Sequence, residues 1–230
     1  MKPMGKKSYG SIPHLPGSRQ DRTDIGLNEG QAKILLVKER KHDIVIVQEK
    51  LDGSNVSVFF DGMEYFPLTR SGNLASSSKF PHHRQFATWV RHNWDKFRFL
   101  QPGERICGEW LGMAHGTIYE LSHGPFVPFD IIKDSIREPY SSFVVRTDNQ
   151  FPLPKVLHIG GACGIEKAEE LLGNYGHHGA KDRAEGSVWR VENAGKVDFL
   201  AKYVRKDKVD GKYIPEVSGN PPIWLYGEYK

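Results

Sequence analysis

An apolar segment rich in β-branched residues, residues 43–48, runs directly into the pair Glu49-Lys50. This composition predicts a β-strand, the Asp52-Gly53 pair predicts a turn after it, and residues 56–60 predict a second strand. A lysine at such a junction projects its ammonium into the cleft that the sheet forms. It can act as a nucleophile if burial or nearby cations lower its pKa. A surface lysine beside a hairpin is the alternative interpretation.

Further hairpins follow from the same pattern. Residues 59–66 are expected to form one hairpin, with Asp61-Gly62 supplying the positive φ angles of a tight turn. Residues 185–191 and 197–205 are expected to form two antiparallel strands around a turn at residues 192–195.

Two other predicted strands each carry a carboxylate among apolar residues. Glu109 lies in the segment 105–112, and Asp130 lies in the segment 126–132. A buried charge is costly without a partner. We therefore expect both carboxylates to be paired or functional.

Apolar residues at three- and four-residue spacing predict an amphipathic helix over residues 83–100. Residues 164–172 are also helical in pattern, and residues 31–39 fit either a strand or a short helix. Strands outnumber helices, and adjacent strands are linked by short turns. The fold class is therefore α+β, with mainly antiparallel sheets and flanking helices.

The chain divides into three parts. Residues 1–30 are expected to form an arm with little regular structure, residues 31–205 one domain, and residues 206–230 a polar tail with no separate C-terminal domain. In the arm, residues 12–19 either contact phosphate or form a packed loop. In the tail, Trp224, Leu225 and Tyr226 are expected to dock on the domain.

The composition narrows the function classes. The chain has 230 residues and a formal net charge of +4, which permits an anionic partner such as nucleic acid without requiring one. Two cysteines without Cys-x-x-Cys spacing indicate neither a zinc site nor a disulfide framework, and His177-His178 fit a surface loop better than a metal site. No apolar segment is long enough to span a membrane, and we expect a cytoplasmic protein.

Five motifs in order resemble the covalent nucleotidyltransferase superfamily of polynucleotide ligases and mRNA-capping enzymes, and most closely the ATP-dependent RNA ligases. The motifs are Lys50-x-Asp52-Gly53-x-Asn55, Arg70-Ser71-Gly72, Gly108-Glu109-x-x-Gly112, Phe126-x-x-Phe129-Asp130 and Glu185-Gly186-x-Val188. The resemblance extends from Lys50 to Arg205, with a less clean last motif around Lys202. It implies a nucleotidyltransferase (ATP-grasp-like) catalytic domain over residues 31–205.

The resemblance also implies a chemistry. Lys50 would attack the α-phosphate of ATP to form a lysyl-AMP, and the AMP would pass to an RNA 5′-phosphate that is then sealed to a 3′-hydroxyl. Mg²⁺ or Mn²⁺ would offset charge on the phosphates. Glu185, and with it Asp52 or Asp130, would hold the ion, whose preference for oxygen ligands suits carboxylates.

The remaining site residues are implied in the same way. Glu109 would hold the ribose, Phe129 would stack on adenine, and Glu49 would help to bind the nucleotide. Asn55 would contact the adenylylated end, Arg70 would bind phosphate or ribose, and Lys202 would contact the α-phosphate.

The sequence departs from the family in two places. Relatives often have two lysines one residue apart in the last motif, whereas this chain has Lys202 and the later Arg205. The tail is also too short for the extra C-terminal domain of many relatives. RNA engagement would then depend on the catalytic domain alone or on an auxiliary protein.

Two alternatives remain open. The Lys-x-Asp-Gly motif is shared with DNA ligases and with GTP-dependent capping enzymes, although those relatives normally carry a further C-terminal domain. A non-catalytic module that binds nucleotide or RNA ends is the alternative from another class, and the retained lysine and glutamates argue against it.

Overall fold

The chain forms two antiparallel β-sheets in the computed structural model, which describes residues 2–147 and 150–227. The strands are β1 (Asp43–Lys50), β2 (Ser54–Phe60), β3 (Tyr65–Thr69), β4 (Glu104–Trp110), β5 (Phe126–Lys133), β6 (Ile136–Arg137), β7 (Val156–Gly160), β8 (Gly186–Asn193) and β9 (Lys196–Val204). The helices are α1 (Glu29–Leu36), α2 (Pro81–His92), α3 (Tyr140–Thr147), α4 (Ile165–Leu172) and α5 (Pro215–Ser218), with 3-10 turns at Ala75–Ser77 and Trp94–Phe97. The α+β class with antiparallel sheets is confirmed.

The first sheet has the strand order β7-β1-β8-β9. Residues Val45, Val47 and Trp189 point to one face, where they pack with residues of α1 and α4. Because side chains alternate along a strand, Lys50 at the end of β1 points to the other face. The β1–β8 register places Lys50 opposite Gly186, next to Glu185.

The second sheet has the order β3-β2-β4-β5-β6. Its apolar face packs on α2 through residues such as Val56, Phe86 and Trp110. Asn55 and Glu109 are directly opposite each other in β2 and β4, and alternation directs them away from that core. The two helix-covered faces therefore lie outside, and the polar faces of the two sheets face each other.

A buried ion pair connects the sheets. Arg190 of β8 donates to the carboxylate of Asp130 in β5, and Asp130 is fully buried. The same carboxylate accepts from Arg137 Nε at 3.1 Å and from the Tyr9 hydroxyl at 2.7 Å. The expectation that this carboxylate is paired is confirmed.

The helix predicted over residues 83–100 is shorter than expected. Helix α2 ends at His92, because both the backbone N–H and the side-chain amide of Asn93 donate to the Trp89 carbonyl, at 3.1 and 2.9 Å. A 3-10 turn, Trp94–Phe97, follows it. Phe97 is still buried, but Trp94 is 47% exposed and does not extend the apolar face.

The β2–β3 hairpin is present, but its loop differs from the predicted tight turn. Phe60 pairs with Tyr65, which leaves a four-residue loop. Asp61 Oδ1 accepts from the backbone N–H groups of Met63 and Glu64, and only Gly62 in this loop has a positive φ, 110°. The side chain of Asp61, rather than a left-handed backbone, thus shapes the loop.

The segments before and after the sheets pack on the domain. Residues 31–39 lie mostly in α1, whose N-cap Asn28 accepts from Gln31 N–H. In the arm, Leu15 is fully buried and donates its N–H to the Lys202 carbonyl at 2.8 Å. In the tail, Leu225 N–H donates to the Gly112 carbonyl at 3.0 Å. The expected docking of the tail is confirmed.

Within the described residues, no helix is long and apolar enough to cross a membrane.

Candidate active site

A cavity of about 1150 Å³ opens between the two sheets. Both sheets contribute to its lining, the first through Lys50, Glu185 and Lys202 and the second through Asn55 and Glu109. The five motifs are far apart in the sequence, so the antiparallel pairing is what brings their residues to one place.

Lys50 lies at the end of β1 and its Nζ is 2.8 Å from Glu185 Oε2. Burial acts to lower the pKa of Lys50, but the carboxylates of Glu185, Glu109 and Asp52 outweigh it, so the pKa lies above its usual value. The sequence suggested an amine with a lowered pKa. The shift in the structure has the opposite direction and favours the protonated ammonium.

The two motif glutamates share this environment. Burial raises the pKa of Glu109 to about 7, with Lys50 opposing the shift and Glu185 adding to it. Burial also raises the pKa of Glu185, again against the effect of Lys50. Glu109 Oε1 accepts from Gly53 N–H at 3.0 Å, which ties the carboxylate to the turn after the lysine.

The turn itself needs a glycine for space. A Cβ on Gly53 would lie 2.5 Å from the Trp110 carbonyl oxygen and 2.9 Å from Leu111 Cδ2. The turn after Lys50 therefore lies directly against the end of β4, where Glu109 is located.

Asp52 lines the cavity and is held from the far side. Its Oδ2 accepts from Gly116 N–H and Thr117 Oγ1, both at 3.0 Å, and from Lys208 Nζ. The Lys208 side chain is 1% exposed, although this residue lies in the tail that the sequence describes as polar. Sequence reasoning missed Lys208, because its setting among charged residues resembles any solvated lysine.

Lys202, Arg70 and Asn55 also line the cavity. Burial, followed by the nearby charge of Lys50, lowers the pKa of Lys202. Arg70 is exposed and donates to Ser11 Oγ at 3.1 Å, whereas Asn55 Oδ1 is buried without a hydrogen-bond partner. The unpaired amide oxygen is free to accept from a ligand.

Three predicted site residues do not line the cavity. Glu49 points to the opposite face of β1 from Lys50, where its carboxylate accepts from His177 N–H at 2.9 Å. Phe129 is the extra residue of a bulge opposite Cys107 and Gly108, and its ring packs edge-on against Tyr9. The predicted contacts of Glu49 and Phe129 with nucleotide remain predictions.

Asp130, the third of these residues, is a correction. Two guanidinium groups and one phenol already bind its carboxylate, and it is fully buried between the sheets. This position gives it a structural role and does not fit the predicted metal ligand.

One of the two neighbouring histidines, His178, is not the surface loop residue that the sequence predicts. His177 is exposed as predicted, but His178 is buried and its Nδ1 lies 2.8 Å from His123 Nε2. Over residues 2–147 and 150–227, no group of three or more His, Cys, Asp or Glu side chains is arranged to hold a metal ion. The residues 12–19 form the packed-loop alternative, with His14 and Leu15 buried.

Comparison with known proteins identifies the family. Residues 43–204 match the family model for RNA ligase. This match covers more than half of the chain, and the protein belongs to the RNA ligase family. No curated protein sequence matches it.

Solved structures share the fold at low sequence identity. They include an Aquifex aeolicus protein assigned as an ATP-dependent DNA ligase (TM-score 0.50, 19% identity, 86% of this chain and 49% of that chain). They also include Naegleria gruberi RNA ligase with PPi (0.54, 17%, 93% and 63%) and a mutant of that ligase with ATP and Mn (0.55, 17%, 87% and 61%). The chain thus spans about half to three fifths of the length of these proteins.

Proposed function

We propose that this chain is an ATP-dependent RNA ligase that becomes adenylylated on Lys50. One observation carries the proposal: the Lys50 amine lies in a cavity between the sheets and contacts a glutamate from a second family motif, at 2.8 Å. A nucleotide-binding module without chemistry has no use for a half-buried lysine in this setting. The substrates would be RNA ends with a 5′-phosphate and a 3′-hydroxyl, joined in the cytoplasm with or without an auxiliary protein.

Protonation of Lys50 controls the first step. The amine nitrogen forms a bond to the α-phosphorus of ATP, and the bond from that phosphorus to pyrophosphate breaks. The ammonium must first lose its proton to water. Glu185, Glu109 and Asp52 stabilise the charged form, so the carboxylate of Glu185 has to be drawn away before attack.

The carboxylates fit a divalent cation that also binds phosphates. Glu185 lies at the cavity surface, and Asp52 Oδ1 has no partner among the described residues. Mg²⁺ commonly binds through one or two carboxylates together with substrate phosphates and water, so a preformed cage is not needed. Mg²⁺ or Mn²⁺ would supply charge neutralisation on the phosphates and compete with Lys50 for Glu185.

The other lining residues would position the substrates. Lys202 and Arg70 provide positive charge toward phosphate, and the planar donor group of Arg70 suits a phosphate or ribose. Glu109 would accept from ribose hydroxyls, and Asn55 would contact the adenylylated end of the RNA. Adenine stacking on Phe129 would require this ring to turn away from Tyr9, on which it packs.

Labelled nucleotide tests the proposal. With ATP labelled at the α-phosphate and Mg²⁺, we expect the protein to retain label after denaturation, and we expect Lys50→Ala to lose it. Lys33→Ala is the matched control, because Lys33 is exposed on α1. Label on Lys50→Ala, or none on the native chain, would refute the proposal.

Two comparisons separate the alternatives. Labelling by GTP in place of ATP would indicate a capping-type enzyme. Joining assays on RNA/RNA, RNA/DNA and DNA/DNA strands would distinguish an RNA ligase from a DNA ligase. A protein that takes up label but joins none of these substrates would be an end-binding module.

A further inference from the structure

The cavity is also lined by aromatic rings that none of the five motifs contains. Phe80, His82 and His83 lie at the start of α2, and His115 follows β4. The rings of His82 and His83 have centroids 4.4 Å apart, and those of His82 and His115 are 5.0 Å apart. We call these four residues the aromatic wall.

The aromatic wall is connected to the loop after Lys50. His115 Nε2 lies 3.2 Å from the hydroxyl of Ser54, the residue before Asn55. His83 is fixed from behind, since its Nδ1 lies 2.8 Å from Ser78 Oγ. A ligand on this wall would therefore lie beside the residue predicted to contact the adenylylated RNA end.

The wall is uncharged at neutral pH. Burial lowers the pKa of His82 to about 2 and that of His83 to about 4, in each case with neighbouring histidines acting in the same direction. Burial also lowers the pKa of His115. The cavity is also lined by cations: Lys79 Nζ lies over the Phe80 ring, 4.9 Å from its centroid, and Lys50, Lys202 and Arg70 contribute further positive charge. These cations attract phosphates, whereas the neutral histidine rings suit a flat, uncharged group.

The cavity is large for a ligand site. Its volume of about 1150 Å³ is slightly above the range of roughly 300–1,000 Å³ that is usual for sites of single small ligands. Unstacked RNA bases commonly stack on Phe, Tyr, Trp or His rings.

We infer that the aromatic wall binds the nucleobase at one of the RNA ends that are joined, apart from the base of ATP. This inference depends on the proposed ligase function. It assigns Phe80 and His83 to recognition of the RNA strand. The Phe80 ring is half-buried, its centroid lies 5.8 Å from that of the His83 ring, and the angle between the two ring planes is 83°.

Abasic strands test the inference. Single-turnover joining by adenylylated protein would be measured with RNA that lacks the base of the 3′-terminal or of the 5′-terminal nucleotide. We expect Phe80→Ala and His83→Ala to slow joining of intact RNA by about fivefold or more, which is the lower end of what base–aromatic stacking contributes. When the missing base is the one that binds the aromatic wall, the variants and the native protein should join that RNA at the same rate.

The two abasic positions show which RNA end binds the aromatic wall. Only removal of the base that binds there should abolish the difference between the variants and the native protein. His83→Gln keeps a polar group toward Ser78 but lacks the ring, so it should behave as His83→Ala. His92→Ala is the matched control, because His92 is exposed at the other end of α2. Thermal unfolding of each variant checks that the fold is retained.

Each outcome decides the inference. Loss of ATP labelling in proportion to the loss of joining would overturn it, because the wall would then hold the base of ATP. An equal loss on intact and abasic strands, or no loss at all, would also overturn it while leaving the ligase function standing. A native protein that takes up no label from ATP would overturn the ligase function and this inference together.

Discussion

Lys50, the proposed nucleophile at the end of β1, is held by a carboxylate. Its ammonium contacts Glu185, and two further carboxylates stabilise the same charge. This arrangement favours the charged ammonium at neutral pH, which is not nucleophilic. The reactivity of Lys50 should therefore depend on Glu185, whose carboxylate contacts the ammonium.

We predict that Glu185→Gln lowers the pKa of Lys50, because the largest stabilising charge on the ammonium is lost while burial remains. Reaction of Lys50 with a small amine-selective reagent, followed across pH by peptide mass spectrometry, should move to lower pH. At a pH below the pKa, the neutral and reactive fraction of the amine rises about tenfold for each fall of one in the pKa. Lys33 provides the internal control, and an unchanged profile for Lys50 would contradict the prediction.

Glu109 gives a second prediction at this scale. Its pKa in the folded protein is raised from 4.5 to about 7, so the folded state holds this proton more tightly than the unfolded state. The associated stability is present below pH 4.5 and is lost as the pH rises through 7. Glu109→Gln removes the titrating group, so its free energy of unfolding relative to the native chain should rise between these pH values, by up to about 3 kcal/mol.

Urea denaturation at pH 4.5 and pH 7.5 would measure this difference. Glu166→Gln is the control, because Glu166 lies on the outer helix α4 and is far from the cavity in the fold. A difference between Glu109→Gln and the native chain that does not change with pH would show that Glu109 does not carry the shift.

The sequence predicts part of the site at this scale for a physical reason. Lys50, Glu109 and Glu185 are charged residues in apolar strands or at their ends, and such residues signal a polar cleft. Alternation also indicates that Glu49 and Lys50 face opposite sides of β1. Local patterns could not show that a bulge removes Phe129 from the cavity, since a bulge depends on the partner strand.

At the scale of elements, a buried cation is one of the contacts that fix the tail. Lys208 joins Asp52 and Thr117, and residues Asp210, Gly211 and Ile214 after it line the cavity. The tail thus forms part of the site rather than a free extension.

We predict that Lys208→Ala lowers the free energy of unfolding by about 3 kcal/mol, because it leaves the Asp52 carboxylate without its cation in a mostly buried position. The tail should also become more accessible, so limited proteolysis should cleave between residues 206 and 216 first. Lys206→Ala is the matched control, because Lys206 is exposed. Equal proteolysis of the two variants would count against the role of Lys208.

Helix and strand prediction fails where packing rather than pattern decides. Helix α3 contains β-branched and serine residues with weak helix propensity, yet Phe143 is buried and Arg146 bonds to Glu104 and Glu138. Strand β7 has no fully buried residue and forms by pairing with β1. Strand β1 has an apolar run, and β8 and β9 carry β-branched and aromatic residues on both sides of a turn, so the sequence predicted all three.

At the scale of the whole molecule, the Arg190–Asp130 pair holds the two sheets at the separation that creates the cavity. Both side chains are almost fully buried, and Arg137 and Tyr9 complete the shell of the carboxylate. The arm is therefore part of the contact between sheets.

We predict that Arg190→Met costs about 3–5 kcal/mol of stability, because Asp130 retains a buried charge with fewer partners. Adding Asp130→Asn should recover part of this loss, since the second change removes the unpaired charge. Denaturant unfolding of the two single variants and the double variant measures the coupling. Arg91→Met, at an exposed position of α2, should remain within about 0.5 kcal/mol of the native chain, and strictly additive losses would contradict the prediction.

Residues of both the arm and the tail line the cavity. This affects the point during synthesis at which the chain can bind nucleotide. The backbone of Lys202 is hydrogen-bonded to residues of the arm. Lys208 anchors the tail segment from which residues between 210 and 216 line the cavity. A nascent chain that has emerged only as far as β9 contains the strands β1 to β9 but lacks this part of the cavity lining. Nucleotide capture should therefore begin only after residues beyond Lys208 have left the ribosomal exit tunnel.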